Sequence, residues 1–144
     1  MRSNLWGLLL VAVGIAAFAV GYSVGQERKA NTRVYELRTY TTLPGRLPAL
    51  HKRFADHTME LFEKHGMKNE AYWTPLDDER KDNTLIYVVS HDSSEAADKS
   101  WKEFGSDPEW QKVAAASQTE EAGGKIVSKV ERVWMKMTDY SPMK

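Results

Sequence analysis

Cysteine is missing from all 144 residues, and net charge is missing too, since 20 Lys and Arg offset 20 Asp and Glu. The lack of thiols excludes disulfides, cysteine nucleophiles and thiolate metal sites. The lack of net charge leaves no basic footprint for nucleic acid, whose phosphates demand a face rich in lysine and arginine. Histidine is scarce as well. His51, His57, His65 and His91 are the only imidazoles, and no two of them stand three or four residues apart. Without that spacing, or a His-Glu-x-x-His pattern, no metal site is expected. Neither a glycine-rich phosphate loop nor a nucleophile paired with a base is recognisable, and no cofactor is expected.

Charge of either sign is also absent from Ser3 to Gln26. Inside that window Leu5 to Val24 is an apolar run of 20 residues, long enough as a helix to reach across the roughly 30 Å hydrocarbon core of a bilayer. A basic start at Met1-Arg2, an apolar centre and the small-residue exit Gly21-Tyr-Ser-Val-Gly25 have the layout of a secretory signal. Small-x-small cleavage positions follow Ala19, Gly21 and Gly25. The run nevertheless exceeds the roughly 7 to 15 residues of a cleaved signal core, so a retained anchor also fits. Arg28, Lys29 and Arg33 outnumber Arg2 and the α-amine, which favours a cytoplasmic domain; the very short lead before the apolar run favours translocation more strongly. Ala17, Gly21 and Gly25 recur every four residues, as they would where two anchors pack or around a cleavage site. A mitochondrial presequence would be amphipathic and rich in arginine, and fits less well.

The chain thus divides into a signal peptide or signal anchor at 1–25, a polar tether at 26–32 and one domain at 33–142. The domain is expected to be extracytoplasmic, periplasmic or secreted, or else held at the membrane through residues 5–24. From Gln26 onward the charges are 19 basic against 20 acidic, and about 110 residues suffice for one hydrophobic core but not two.

Arg33 to Thr41 is rich in Val, Tyr and Thr and alternates Tyr35, Leu37 and Thr39 with Val34, Glu36, Arg38 and Tyr40, which predicts a first strand. Leu43-Pro44-Gly45 breaks it. Leu47, Leu50, Phe54, Thr58, Leu61 and His65 then fall three or four apart, one stripe of a helix over Leu47 to His65, with Pro48 in the first turn and Gly66 as the stop. Met67 to Trp73 and Thr84 to His91 predict two more strands, the latter apolar on both faces as a strand covered twice would be. Asp92 and Glu95 read as a capping box for a helix that carries Ala96, Ala97 and Trp101 and ends at Gly105. Asp107-Pro108 restarts a helix with Asp as N-cap and Trp110, Val113 and Ala114 inward, as far as Gly123-Gly124. Ile126 to Met137 predicts the last strand. The order βαββαβ, its second helical unit broken in two, predicts a ferredoxin-like α+β fold with a four-stranded antiparallel sheet. Helices cover one face of such a sheet. Strands three and four carry bulky apolar residues on both faces, so a second copy packed sheet to sheet is expected to cover the other.

Several motifs in this order have a further meaning. Tyr35-Glu-Leu-Arg-Thr-Tyr40 with Pro44-Gly45, Leu61-Phe-Glu-Lys-His-Gly-Met67, Tyr72-Trp-Thr-Pro75, Asn83-Thr-Leu-Ile-Tyr87, Trp101-Lys-Glu-Phe104 with Asp107-Pro-Glu-Trp110, and Val130-Glu-Arg-Val-Trp134 with Thr138-Asp-Tyr-Ser-Pro142 together resemble a NIPSNAP domain over Val34 to Pro142. Each alone is weak; all of them in order are specific. The resemblance implies a dimeric α+β barrel, and it implies no particular catalytic residues, because the family has no agreed ones. Eukaryotic members are linked to mitochondria and to membranes or vesicles. This chain departs from them in its single domain and secretory-type start, so those roles do not carry over.

If Leu37 faces the helices, Glu36, Arg38 and Tyr40 face the barrel interior or the dimer seam, where a guanidinium fork and a phenol could orient a small acidic or aromatic ligand. The plainer alternative is that Glu36 and Arg38 pair with each other. The candidate ligand-binding residues are Glu36, Arg38, Tyr40, His57, Trp73, Tyr87 and Trp134, while Trp101 and Trp110 are aromatics that core packing explains as well. His65 reads as a helix C-terminal imidazole favoured by the helix dipole, and Asp107 as an N-cap. No catalytic residue is assigned, since the strand carboxylates Glu36, Glu70 and Glu131 form no recognisable acid/base pair. Two functions compete. One is a homodimeric module of undefined activity that binds a small hydrophobic or aromatic ligand or a protein. The other is a cofactor-free or haem-assisted oxygenase-like enzyme for a small aromatic substrate, which rests on fold analogy. A dry aromatic cavity reached by His57, Arg38 or Tyr40 would favour the enzyme; a filled interior would not.

Overall fold

The computed structural model describes residues 32–143, so the expected signal or anchor and nearly all of the tether lie outside the described residues. β1 (Val34–Thr42) leads into α1 (Leu47–Arg53), a π-helical turn (Phe54–Thr58) and α2 (Met59–Lys64). After these come β2 (Lys68–Trp73), β3 (Thr84–His91), α3 (Ser94–Ser106), α4 (Pro108–Ala116) and β4 (Val127–Lys136). Among the described residues no helix is long and apolar enough to cross a membrane.

Local chemistry sets the joints. Pro44 and Gly45 occupy the centre of a turn closed by the Arg46 N–H on the Leu43 carbonyl at 3.0 Å, with Gly45 at φ 71°, the type II geometry that needs glycine at its third position. Leu47, Leu50, Phe54, Thr58 and Leu61 are all buried along the first helical unit. What the spacing does not show is that the unit widens by one residue. The Met59 N–H bonds the Phe54 carbonyl five residues back, and the Thr58 hydroxyl donates to the Arg53 carbonyl at 3.1 Å. Around that wide turn Arg53 and Phe54 are both buried. Gly66 (φ 76°) closes the unit with its own N–H on Glu63 O and the Met67 N–H on Phe62 O, both 2.9 Å, the paired bonds of a Schellman motif.

The cap of α3 differs from expectation. Ser93, not Asp92, is the N-cap, its hydroxyl oxygen accepting the Ala96 N–H at 3.1 Å, and the helix runs past Gly105 to Ser106. Asp107 does cap α4, accepting the Glu109 N–H at 2.8 Å. It also does more, because its other oxygen meets His65 Nε2 at 2.7 Å and Lys64 Nζ at 2.9 Å. One carboxylate therefore joins the C-terminal end of α2 to the N-terminal end of α4. Lys64 first, then His65 and the Glu109 N–H, hold the Asp107 carboxyl well below the usual carboxylate range. A carboxyl with a depressed folded pKa stabilises above its unfolded value and loses that contribution as pH falls toward the folded one. Asp107→Asn keeps a capping acceptor and removes the charge. Urea titrations should show the stability gap between parent and variant in full at neutral pH and shrinking below about pH 4; a gap constant down to about pH 2 would contradict the ion-pair origin.

The sheet order is β2-β3-β1-β4, antiparallel throughout. In register, Glu36 lies between Val89 and Trp134, Arg38 between Tyr87 and Arg132, and Tyr40 between Leu85 and Val130. This set faces the helices, as the Tyr40–Phe54 ring contact and the Trp101–Glu36 hydrogen bond require. The conditional placement of Glu36, Arg38 and Tyr40 at the seam is thereby reversed. Leu37, flanked by Val88 and Val133, is on the opposite face with Ile86 and Met135. Period-two alternation separates two faces but does not say which one the helices cover; Phe54, Phe62 and Trp101 decide it by packing on Tyr40, Tyr87 and Arg38.

Tyr87, fully buried, is the hub of the core, with Tyr72 stacked on it at 5.4 Å and Tyr40, Phe54 and Phe62 around it. The outer face is different. Val133 is 55% and Trp73 51% exposed, and Leu37, Ile86, Val88 and Met135 are half-buried. At one end of this face Met135, Val88, Ala71 and Trp73 border a groove of about 450 Å³ edged by Ser141 and Met143 of the C-terminal segment.

Candidate functional site

Three ionisable side chains and two indoles meet between the sheet and α3. Alternation on β1 turns Glu36 and Arg38 toward the helices, and the same alternation on β3 puts His91 on the face that carries Tyr87 and Val89. α3 supplies Trp101, and Trp134 of β4 stands across from Glu36. The Glu36 carboxylate is fully buried and accepts the Trp101 Nε1–H at 2.6 Å. Arg38 Nη1 lies 3.5 Å from its other oxygen, and His91 Nε2 lies 3.8 Å from the oxygen that Trp101 holds. The Arg38 guanidinium stacks on the Trp101 ring at 4.2 Å, a cation–π contact, with the Tyr40 ring at 5.5 Å. Trp134 forms the outer wall, its ring 5.9 Å from His91 and still 43% exposed.

The cluster is short of partners. Among the described residues, Glu36 Oε1, Arg38 Nε and both ring nitrogens of His91 are buried without a hydrogen bond. Buried polar atoms are nearly always paired, and each one left over costs about 1–3 kcal/mol. This group therefore keeps both donors and acceptors in reserve beneath the half-exposed ring of Trp134.

The other sequence candidates fall in three places. Tyr40 and Tyr87 sit on the same helix-facing side but within the aromatic core, and burial pushes the Tyr87 hydroxyl well above its ordinary pKa. Trp73 is at the end of β2 and reaches the outer-face groove. His57 is exposed on the π turn and borders a separate groove with Lys52, Arg53 and Lys112. So Glu36, Arg38 and Trp134 come together, Tyr40 and Tyr87 adjoin them, and His57 and Trp73 do not join. Sequence reasoning passed over His91 and left Trp101 among the packing aromatics. The signal for His91 was available, since it stands four residues from Tyr87 on an alternating strand; nothing in the spacing points Trp101 at Glu36. Among the described residues no three His, Asp or Glu side chains gather as metal ligands.

Sheet order and split second helical unit define a ferredoxin-like α+β domain with a polar cluster buried between sheet and helices. The NIPSNAP family model matches residues 35–142, and the chain belongs to the NIPSNAP family. Comparison with curated proteins gives no match. Solved structures do resemble it. A NIPSNAP family protein of unknown function from Agrobacterium tumefaciens is 20% identical with a TM-score of 0.67, the match covering 80% of this chain and 96% of that one. An uncharacterized NIPSNAP-like domain protein from Burkholderia xenovorans is 12% identical, TM-score 0.64, covering 78% and 90%. SnoaB, a cofactor-independent oxygenase from Streptomyces nogalater, is 15% identical, TM-score 0.50, covering 77% and 98%. At these identities the likeness establishes the fold.

Proposed function

We propose that this NIPSNAP domain is a homodimeric binding module that takes up a small, mainly aromatic or apolar ligand bearing a hydrogen-bonding group. The observation that carries the reading is the buried Glu36–His91 pair, with polar atoms that lack hydrogen bonds among the described residues, beside the half-exposed indole of Trp134. Trp101, Trp134 and Tyr40 supply ring surfaces, and Glu36 and His91 supply an acceptor and a donor, the mixture typical of small-molecule sites. Support for pairing comes from the apolar outer face of the sheet, which its own helices leave uncovered. The apolar run at residues 5–24 supports a place at the membrane or, after cleavage, beyond it.

A thermal-shift screen of the chain from Gln26 onward against haem, flavins and aromatic metabolites tests the binding. A ligand at about 100 times its Kd adds roughly 2.7 kcal/mol to the native state. An aromatic compound should raise the melting temperature of the parent and leave Glu36→Gln unmoved. Equal shifts in both would remove the Glu36 cluster from the reading. An oxygenase role like that of SnoaB is compatible with the shared fold but gains nothing from the geometry: Phe54, Phe62, Tyr72 and Tyr87 fill the centre, and His57 stands apart.

A further inference from the structure

We infer that a second site, separate from the Glu36 cluster, binds a small organic carboxylate in the groove between the first helical unit and α4. The groove has a volume of about 590 Å³, well within the range of small-molecule sites. Arg53 lines it, and that residue is only 7% exposed. Among the described residues no carboxylate lies within ion-pair distance of Arg53. Its guanidinium has one long hydrogen bond, Nη1 to Ser117 Oγ at 3.4 Å, while Nε has none, and the Trp110 ring lies 5.3 Å away. A buried cation with neither counter-ion nor a full set of acceptors is costly, and a guanidinium is shaped to take a carboxylate on two parallel bonds.

The acids bordering the groove do not supply that partner. Asp56 is engaged by Lys52, and Glu109 by Lys64. Lys112 has no ion pair among the described residues and faces the same space, as does His57. The walls are apolar, formed by Ala49, Val113, Ala116 and Ala122. Cationic floor and apolar walls together suit a monocarboxylate with a compact hydrocarbon body, and suit a fully hydrated dianion poorly. The π turn explains why the arginine is there. Arg53 carries the carbonyl that Thr58 caps at the start of the widened turn, and such one-turn expansions are frequent at functional sites.

Calorimetric titration of the full-length protein with sodium benzoate, and separately with inorganic phosphate, tests the assignment. Benzoate should saturate at one molecule per chain. Arg53→Gln should weaken it about tenfold or more, as expected for lost charge-assisted hydrogen bonds. Lys112→Ala, a change at an exposed position that leaves the fold intact, should weaken it about threefold, and Lys99→Ala on the exposed side of α3 should change nothing. Failure of benzoate to bind at millimolar concentration overturns the proposal. So does undiminished binding in both Arg53→Gln and Lys112→Ala, or phosphate bound as tightly as benzoate, which would reduce the groove to an unspecific cationic patch.

Discussion

Replacing Val133 by lysine is expected to convert a homodimer into single chains at micromolar concentration, raising its dissociation constant by about three orders of magnitude, or some 4 kcal/mol. Val133 lies opposite Leu37 on the outer face of the sheet and is 55% exposed in a single chain. A lysine there meets water in the monomer, so the fold is unharmed. In the proposed dimer it would be an ammonium placed among Leu37, Val88 and Met135, with Glu131 of the same face already held by Lys129 at 2.8 Å, and a charge buried in such a seam costs several kcal/mol. Light scattering on the chain from Gln26 onward should give half the parent mass with an unchanged circular dichroism spectrum. A variant that keeps the parent mass would mean that copies do not meet through this face.

Tyr87→Ala is expected to remove about 3–5 kcal/mol of stability, out of the roughly 5–15 kcal/mol that holds a domain of this size together. The residue is fully buried, and four rings surround it: Phe54 at 5.2 Å, Tyr40 at 5.3 Å, Tyr72 at 5.4 Å and Phe62 at 6.0 Å. Truncation loses the contacts of all four and leaves a cavity that two strands and the first helical unit cannot close. At about 4–8 °C per kcal/mol the melting temperature should fall by some 15 to 30 °C, read by circular dichroism. The size of the drop also bears on function, because it measures how tightly the sheet–helix layer is filled. A loss under about 1 kcal/mol would mean a loosely packed interior with room for a substrate, which is what an oxygenase would need.

Much of the fold was legible because its determinants are local. Thr84–His91 reads as a strand from its own composition, and that range is the observed β3. Pro44-Gly45, Gly66 and Asp107-Pro108 mark turns and caps through backbone preferences that need no tertiary context. The site was less legible, because it depends on choices that local chemistry leaves open. Glu36, Arg38 and Tyr40 do share a face, yet only the rings of Phe54, Phe62 and Trp101 decide that it is the helix-covered one. The π turn was invisible because Leu50, Phe54, Thr58 and Leu61 keep a helical spacing whether or not one residue is added; its effect shows in Arg53, a polar residue beside that stripe and buried nonetheless. Asp107 read correctly as a cap, but its bonds to Lys64 and His65 span more than forty residues and follow only from how the two helical units meet.

The outer face of the sheet is where the proposed homodimer would pair. Sedimentation equilibrium of the chain from Gln26 onward, across micromolar concentrations, measures that pairing. A mass twice that of one chain throughout the range is the predicted result. A single-chain mass at every concentration would contradict the homodimer and leave Leu37, Val88 and Val133 without the partner proposed for them.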